Sequence, residues 1–394
     1  MAKIINFKSF QEFLKSGTAG GVILILCVVI SLIIANTTFS GAFNNFLEMK
    51  VGYHSETLHL EYPIIIWIND GLMAIFFLLV GLEIKRELVE GELASIKKAT
   101  LPVFAALGGV IAPALIYTFF NKNSEFAGGW GIPMATDIAF ALAIITLLGN
   151  KVPSSLKIFL AALAIVDDLM AILVIAIFYS TSLQYQYLLY AGLLFALLLI
   201  FNKLGVKKII FYLIPGIFMW YFIHHSGIHA TIAGVLTAFT LPTTPDATES
   251  PLEKLEHLLV KPVNFLIMPI FALANTNIKY EDGMLEGLFT PLGLGIALGL
   301  FLGKPVGITA FSWLAVKLRI SNRPHGASWK HILGVGMLGG IGFTMSIFIA
   351  ILSFANATHV LAEAKFSILA GSVLSGIAGS VLLLLTNKKA KKAL

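Results

Sequence analysis

An all-α polytopic membrane protein with about twelve transmembrane helices is the fold class this sequence predicts, on three observations. The 394 residues are 58% hydrophobic and only 12% charged, with a mean hydropathy of +0.90, whereas a soluble chain carries roughly twice that share of charge. The apolar residues fall in continuous runs, each near the roughly twenty residues that a helix needs to cross the hydrocarbon. The cationic residues gather in every second connection between those runs. No polar block is long enough for a soluble domain, so 1–394 reads as a single transmembrane domain.

The runs lie near 17–36, 63–84, 99–120, 131–149, 156–179, 186–201, 209–223, 227–241, 258–275, 290–315, 331–353 and 363–385. Continuous runs point to helices; the strands of a membrane barrel would alternate over about ten residues. The sixth to eighth runs are short. The first follows a polar start carrying Lys3, Lys8 and Lys15. It is longer than a signal-peptide core and lacks a small-residue cleavage pattern, so it reads as a retained helix.

Charge placement orients the chain. With the N-terminus in the cytoplasm, 22 of the 27 Lys and Arg residues fall on the inner side, and only Lys50, Lys122, Lys279 and Lys365 on the outer. That asymmetry is the positive-inside pattern, and it puts both termini in the cytoplasm. The net charge of +6 is thereby spent at the membrane edge, so lipid is the expected partner and nucleic acid is not. Cys27 is the sole cysteine, which rules out a disulfide framework or a Cys-based metal site.

The same topology contains an inverted repeat, about 99–180 against 290–385. The third helix runs outward and the tenth inward, and each opens a three-helix group. The middle member of each group is rich in helix breakers: Gly128, Gly129, Gly131 and Pro133 in one; Gly334, Gly336, Gly339, Gly340 and Gly342 in the other. Interrupted segments at matching places in oppositely oriented groups point to a transporter's binding site. The repeat rests on topology, without residue-level similarity. Outside this pattern, 46–61 (FLEMKVGYHSETLHLE) alternates loosely around a polar His54-Ser55 turn. It reads as a short extracytoplasmic hairpin whose free edge suits a second copy of the chain; an ordinary loop fits it equally well.

Charges inside the runs carry the chemistry. Asp167 and Asp168 are the only charges between Lys157 and Lys203, Asp137 the only one between Glu125 and Lys151, and Lys304 the only one between Glu286 and Lys317. An ionisable group at that depth costs a few kcal/mol at least, and it marks a water-filled path or a partner. Consecutive helical residues point about 100° apart, so one aspartate lines an ion path while the other reaches a neighbour, for which Lys304 is available. Burial disfavours an ionised carboxylate, and a second carboxylate nearby does so again. Such oxygens take either a proton or a small hard cation, and that competition is itself exchange. A plain structural ion pair is the blander reading, and it fits Asp167 better than the group. Asp137 follows Thr136 just after the Gly/Pro break, where a carboxylate would cap a half-helix start.

Other polar residues are less decisive. Asp70 sits nearer the outer end, as a structural or mouth-lining residue. Glu83, Arg86 and Glu87 lie at helical spacing near the cytoplasmic end of the second helix, and Glu253, Lys254, Glu256 and His257 open the ninth on the same side. A solvated ion-pair face is the ordinary reading, and a pH-sensing or cation-attracting mouth the functional one. His229 fits a packing role equally well.

These stretches closely resemble the bacterial NhaA-type sodium/proton antiporter family: WINDGLMAIFFLLVGLEIKREL, IPMATDIAFAL, LKIFLAALAIVDDL, SGIHATIAG, KLEHLL, GLFLGKPVGI and GIGFTMSIFIA. They spread from the second helix to the eleventh. The resemblance implies inverted repeats with two interrupted, crossing helices. It also implies cation and proton binding at Asp168 and Asp167, with Lys304 as the partner of Asp167 and Thr136 and Asp137 at the crossing. Glu83, Arg86, Glu87, Glu256 and His257 match the family's pH-response region. A second histidine common a little further on in the family is replaced here by the stretch LLVKP, with Lys261 near its place. The family implies electrogenic, pH-regulated exchange of protons for Na+ or Li+ by alternating access in the bacterial inner membrane, without a cofactor or enzymatic activity, and dimers formed through an extracytoplasmic hairpin. Two rivals are a sodium-coupled symporter of the same architecture and an intramembrane aspartyl protease. The protease would place its two aspartates on separate helices, one in a G-x-G-D context absent here.

Overall fold

The computed structural model describes residues 7–55, 59–180, 182–244, 249–280, 283–355 and 357–391. Helix occupies each of the twelve apolar runs, yet not every helix is long enough to cross. Among the described residues eight helices have spanning length and apolarity, from Ile64–Val89 to His359–Thr386, or ten if two bent pairs each count once. Ile210–His224 has 15 residues and Ile232–Thr240 has 9. At 1.5 Å per residue these reach about 22 and 14 Å, short of a hydrocarbon layer of roughly 30 Å. The count expected from hydropathy is therefore met as helical segments and not as twelve full spans.

The chain divides into two compact units. One gathers Val22–Val89 and Ile175–Tyr280; the other holds Glu90–Val174 and Glu281–Leu394, with residues 7–21. In the first unit, Leu78 and Leu82 pack with Leu198, Tyr212, Met219, Ala233 and Ala238. Leu189, Leu193 and Ile217 stay 60–66% exposed, as suits helices that face lipid. Lys50–Val51 pairs antiparallel with Tyr62–Pro63, and a His54–His59 bridge follows. Residues 56–58 of the expected hairpin lie outside the described residues. Its first three positions, 46–48, close the helix Ser40–Glu48 instead.

The second unit contains two groups of the same make-up. Ile96–Asn121, a broken span and Ser154–Phe178 form one; Pro291–Lys317, a second broken span and Thr358–Lys391 form the other. The first broken span is a 3-10 turn over Ala127–Met134, three extended residues (135–137), then the helix Ile138–Leu147. The second is Trp329–Gly339 and Phe343–Ser353, bent by 47° at 340–342. Pro133 lacks the backbone donor that a continuing helix needs, and glycines lower helix propensity at both breaks.

One contact sets the depth of the site. A Cβ at Gly108 would lie 2.1 Å from the Gly307 carbonyl oxygen, and one at Gly307 would lie 2.0 Å from that of Gly108. Only glycine permits this approach, the small-residue seam by which membrane helices pack backbone to backbone. It brings Pro291–Lys317 against Ile96–Asn121, with the Lys304 stem passing Gly109.

Candidate functional site

The two breaks meet. Asp137 N donates to the Ile341 carbonyl at 2.6 Å, and Ser346 Oγ donates to the Ile132 carbonyl at 2.7 Å. Asp137 caps its own half-helix, since Oδ1 accepts from Phe140 N at 3.0 Å. Its Oδ2 accepts from Thr344 N at 3.2 Å and from the Thr344 hydroxyl. One carboxylate thus sits between the positive ends of two half-helices, where a negative charge is stabilising.

Beside this crossing runs Ser154–Phe178, with Asp167 and Asp168 near its middle, 1% and 2% exposed. The Asp167 Oδ2 atom takes the Lys304 ammonium as a buried ion pair and the Thr136 hydroxyl at 2.7 Å. Lys304 is fully buried. It follows a π-helical turn, Gly299–Gly303, and precedes Pro305, whose missing N–H relaxes the helical ladder there. Thr136 Oγ1 is also 2.7 Å from the Gly339 carbonyl, so one hydroxyl proton faces two acceptors. Asp167 Oδ1 is buried without a hydrogen-bond partner. An orphan acceptor of that kind is what a dehydrated cation or a proton satisfies.

The donor set is carboxylate and hydroxyl oxygen, suited to a hard cation and unlike a transition-metal centre. Among the described residues, no group of three or more His, Cys, Asp or Glu is arranged to hold a metal ion. Three aspartates and one lysine are buried here, so the acidic groups outnumber the basic one. The expected residues Thr136, Asp167 and Lys304 are joined directly; Asp137, next to Thr136 in the chain, is bonded to Phe140 N and Thr344 instead, and Asp168 is buried beside Asp167 on the same helix.

The expected pH-response residues divide. Arg86 Nε lies 3.0 and 2.9 Å from the two Glu256 oxygens, and its Nη1 lies 3.0 Å from Glu87. Glu83 is buried on the same helix, one turn before Glu87. A Ser250–Glu253 capping box starts Pro251–Pro262 and fixes which way Glu256 points. His257 turns away and pairs with Glu249 at 3.0 Å, both half-exposed.

Other partners were not foreseen. Asp70, in the π-helical turn Trp67–Leu72, is held by His224 at 3.0 Å and by His229 at 3.3 Å. His229 is thus an aspartate partner, not a packing histidine. Thr344 and Ser346 also escaped sequence reasoning, because a hydroxyl in an apolar run is common. Their place two and four residues after Gly342 was the available signal.

Known proteins match this chain throughout. A relative described as the Na(+)/H(+) antiporter NhaA 2 of Flavobacterium johnsoniae is 64% identical over 389 residues, covering 98% of this chain and 95% of that one. An Na(+)/H(+) antiporter NhaA of Flavobacterium psychrophilum is 51% identical, with 94% of each chain covered. One of Yersinia pseudotuberculosis is 48% identical, covering 97% of this chain and 98% of its own. The solved sodium proton antiporter of Methanocaldococcus jannaschii shares the fold, with a TM-score of 0.50 and 16% identity over 99% of this chain and 97% of that one. With the Na+/H+ antiporter 1 family matching residues 11–383, and these relatives aligned nearly end to end, this multi-pass membrane protein belongs to the Na+/H+ antiporter 1 family.

Proposed function

We propose that the protein exchanges cytoplasmic Na+ or Li+ for external protons by alternating access, electrogenically and under pH control. The observation that carries this reading is the Asp167 carboxylate, shared by Lys304 and Thr136 beside Asp168 at the meeting of two broken helices. Its relatives' names support it.

In the proton-loaded state, Asp168 carries a proton and Lys304 holds Asp167. A cation entering among the Asp168, Asp167 and Thr136 oxygens displaces the Asp168 proton and competes with the ammonium for Asp167. The ammonium, parted from its carboxylate, gives up the second proton, so two protons leave for one cation and each cycle moves net charge. The Glu83, Arg86, Glu87 and Glu256 cluster supplies the pH response. The Na+ and protons are cargo, and no cofactor takes part.

The bacterial inner membrane is the location we assign, with both termini in the cytoplasm on the strength of the cation asymmetry. We assign a homodimer formed through the Lys50–Val51 and Tyr62–Pro63 hairpin, whose free edges can pair with a second copy.

Everted vesicles test the exchange. Added Na+ should collapse a preformed pH gradient with the natural chain and not with Asp168→Asn. Proton release on Na+ addition to the purified protein then separates antiport from sodium-coupled symport. Release that persists unchanged in Asp168→Asn refutes the assignment.

A further inference from the structure

The half-helix Trp329–Gly339 is tied at its far end to the cation site, because the Gly339 carbonyl accepts the same Thr136 hydroxyl that faces Asp167. Its near end is held by an unusual cap. Ser328 is the N-cap, with extended backbone, and the third helical residue is His331 where a capping box ordinarily has Glu or Gln. The Ser328 N–H donates to His331 Nδ1 at 3.0 Å, and Ser328 Oγ lies 2.9 Å from the same nitrogen.

This cap differs chemically from one made by Glu or Gln. A ring nitrogen accepts a hydrogen bond only through its lone pair, so Nδ1 must be unprotonated and the single ring proton of the neutral imidazole sits on Nε2. His331 is 5% exposed, and its Nε2 atom is buried without a hydrogen-bond partner. Adding a proton at Nδ1 would set an N–H against the Ser328 N–H. It would also place a positive charge at the positive end of a helix dipole. Both effects weaken the cap: the Ser328 N–H bond is lost, and only the Ser328 hydroxyl remains for a protonated Nδ1 to donate to.

Among the described side chains near this end, Lys330 and Arg323 are positive and disfavour the added proton, and no carboxylate pairs with the ring. Trp329–Gly339 packs against Lys304–Lys317, Ile138–Leu147 and Thr358–Lys391. Lys304 is engaged with Asp167, Lys317 lies over the Trp313 ring, and Glu363 takes the Thr290 hydroxyl. Ile138–Leu147 has no titratable residue. His359 and Lys365, on the third element, have no hydrogen bond or ion pair with the ring among the described residues; Lys388, Lys389 and Lys391 close that element, with side chains outside the described ones.

We propose that His331 is a positioning residue: its unprotonated imidazole fixes the start of Trp329–Gly339, and acid releases that start. The sign is set by the cap, which is present when Nδ1 is bare and lost when falling pH protonates the ring. Release loosens the half-helix and, with it, the Gly339 carbonyl that competes with Asp167 for Thr136. The transport readout of this inference rests on the antiport reading above.

His331→Gln is the deciding variant, since Gln caps at this position and does not titrate. Amide hydrogen exchange over residues 329–339 should quicken between pH 8 and pH 6 in the natural protein, beyond the intrinsic pH effect, and not in His331→Gln. His331→Ala should exchange fast at both pH values. In proteoliposomes the ratio of Na+-driven proton movement at pH 6 to that at pH 8 should be about fivefold higher in His331→Gln than in the natural protein, the scale of one lost cap. Matching exchange profiles for the natural protein and His331→Gln would overturn the proposal. Failure of every variant to move protons, with the exchange difference intact, would count against the antiport reading and leave the cap assignment standing.

Discussion

Across the crossing of the two broken spans, Asp137 Oδ2 accepts both the backbone N–H and the hydroxyl of Thr344. The bond ties the start of one half-helix to the cap of the other. Asp137→Asn turns one acceptor oxygen into an NH2 group that must face either Phe140 N or Thr344 N, both of them donors. A melting curve in detergent should show a loss of about 1–3 kcal/mol, the cost of an unsatisfied buried group. Thr344→Val, which removes only the hydroxyl, should cost less. Equal melting of Asp137→Asn and the natural protein would mean that the double cap is not formed.

Thr136 has one proton for two acceptors at 2.7 Å, Asp167 Oδ2 and the Gly339 carbonyl. Thr136→Ser should keep near-natural Na+ affinity. Thr136→Val, close in shape but without the hydroxyl, should raise the KM for Na+ about tenfold, the equivalent of one hydrogen bond to a charged group. Initial rates in proteoliposomes over a range of Na+ decide the matter. A change in maximal rate alone would assign Thr136 to a step other than cation binding.

Lys304 and Asp167 form an ion pair with neither side chain accessible. Removing one partner of such a pair strands a buried charge at about 3–5 kcal/mol, while replacing both with apolar residues is often neutral. Lys304→Met should therefore melt well below the natural protein, and Lys304→Met combined with Asp167→Leu should recover most of the loss without transport. A double variant no more stable than Lys304→Met would show that the two groups are not coupled.

Two adjacent residues, Glu256 and His257, should behave differently. Glu256 is 7% exposed and gripped by Arg86, while the His257 and Glu249 side chains are 58% and 49% exposed. Double-mutant cycles on thermal stability should give a coupling above about 1 kcal/mol for Arg86 with Glu256, and about 0.5 kcal/mol or less for His257 with Glu249. Equal couplings would return His257 to the buried cluster.

Charge in the wrong solvent is the signal that sequence carries best in a membrane protein. Asp137, Asp167, Asp168 and Lys304 were visible because each breaks an apolar run, and Thr136 because it adjoins one of them. The glycine clusters marked both breaks. Thr344, Ser346 and His224 were invisible, since hydroxyls and terminal histidines do not stand out by type. Their roles come from which element lies opposite, and that is a three-dimensional fact. His257 was grouped with Glu256 by the resemblance and by its place at the same helix start, and in the structure it pairs with Glu249 while Glu256 takes Arg86. Ile210–His224 and Ile232–Thr240 fall among the runs read as short, where hydropathy fixes apolarity more readily than length.

Backbone touches backbone at Gly108 and Gly307, with no side chain between to act as a bearing. Ile96–Asn121 and Pro291–Lys317 are therefore like crossed beams bolted at one point, and neither can slide along or roll over the other without prising the joint apart. Lys304, one turn from the bolt, is carried by the frame. The helical ladder of this unit is interrupted at 135–137 and 340–342, so any rearrangement within it is expected at those breaks and not along the seam.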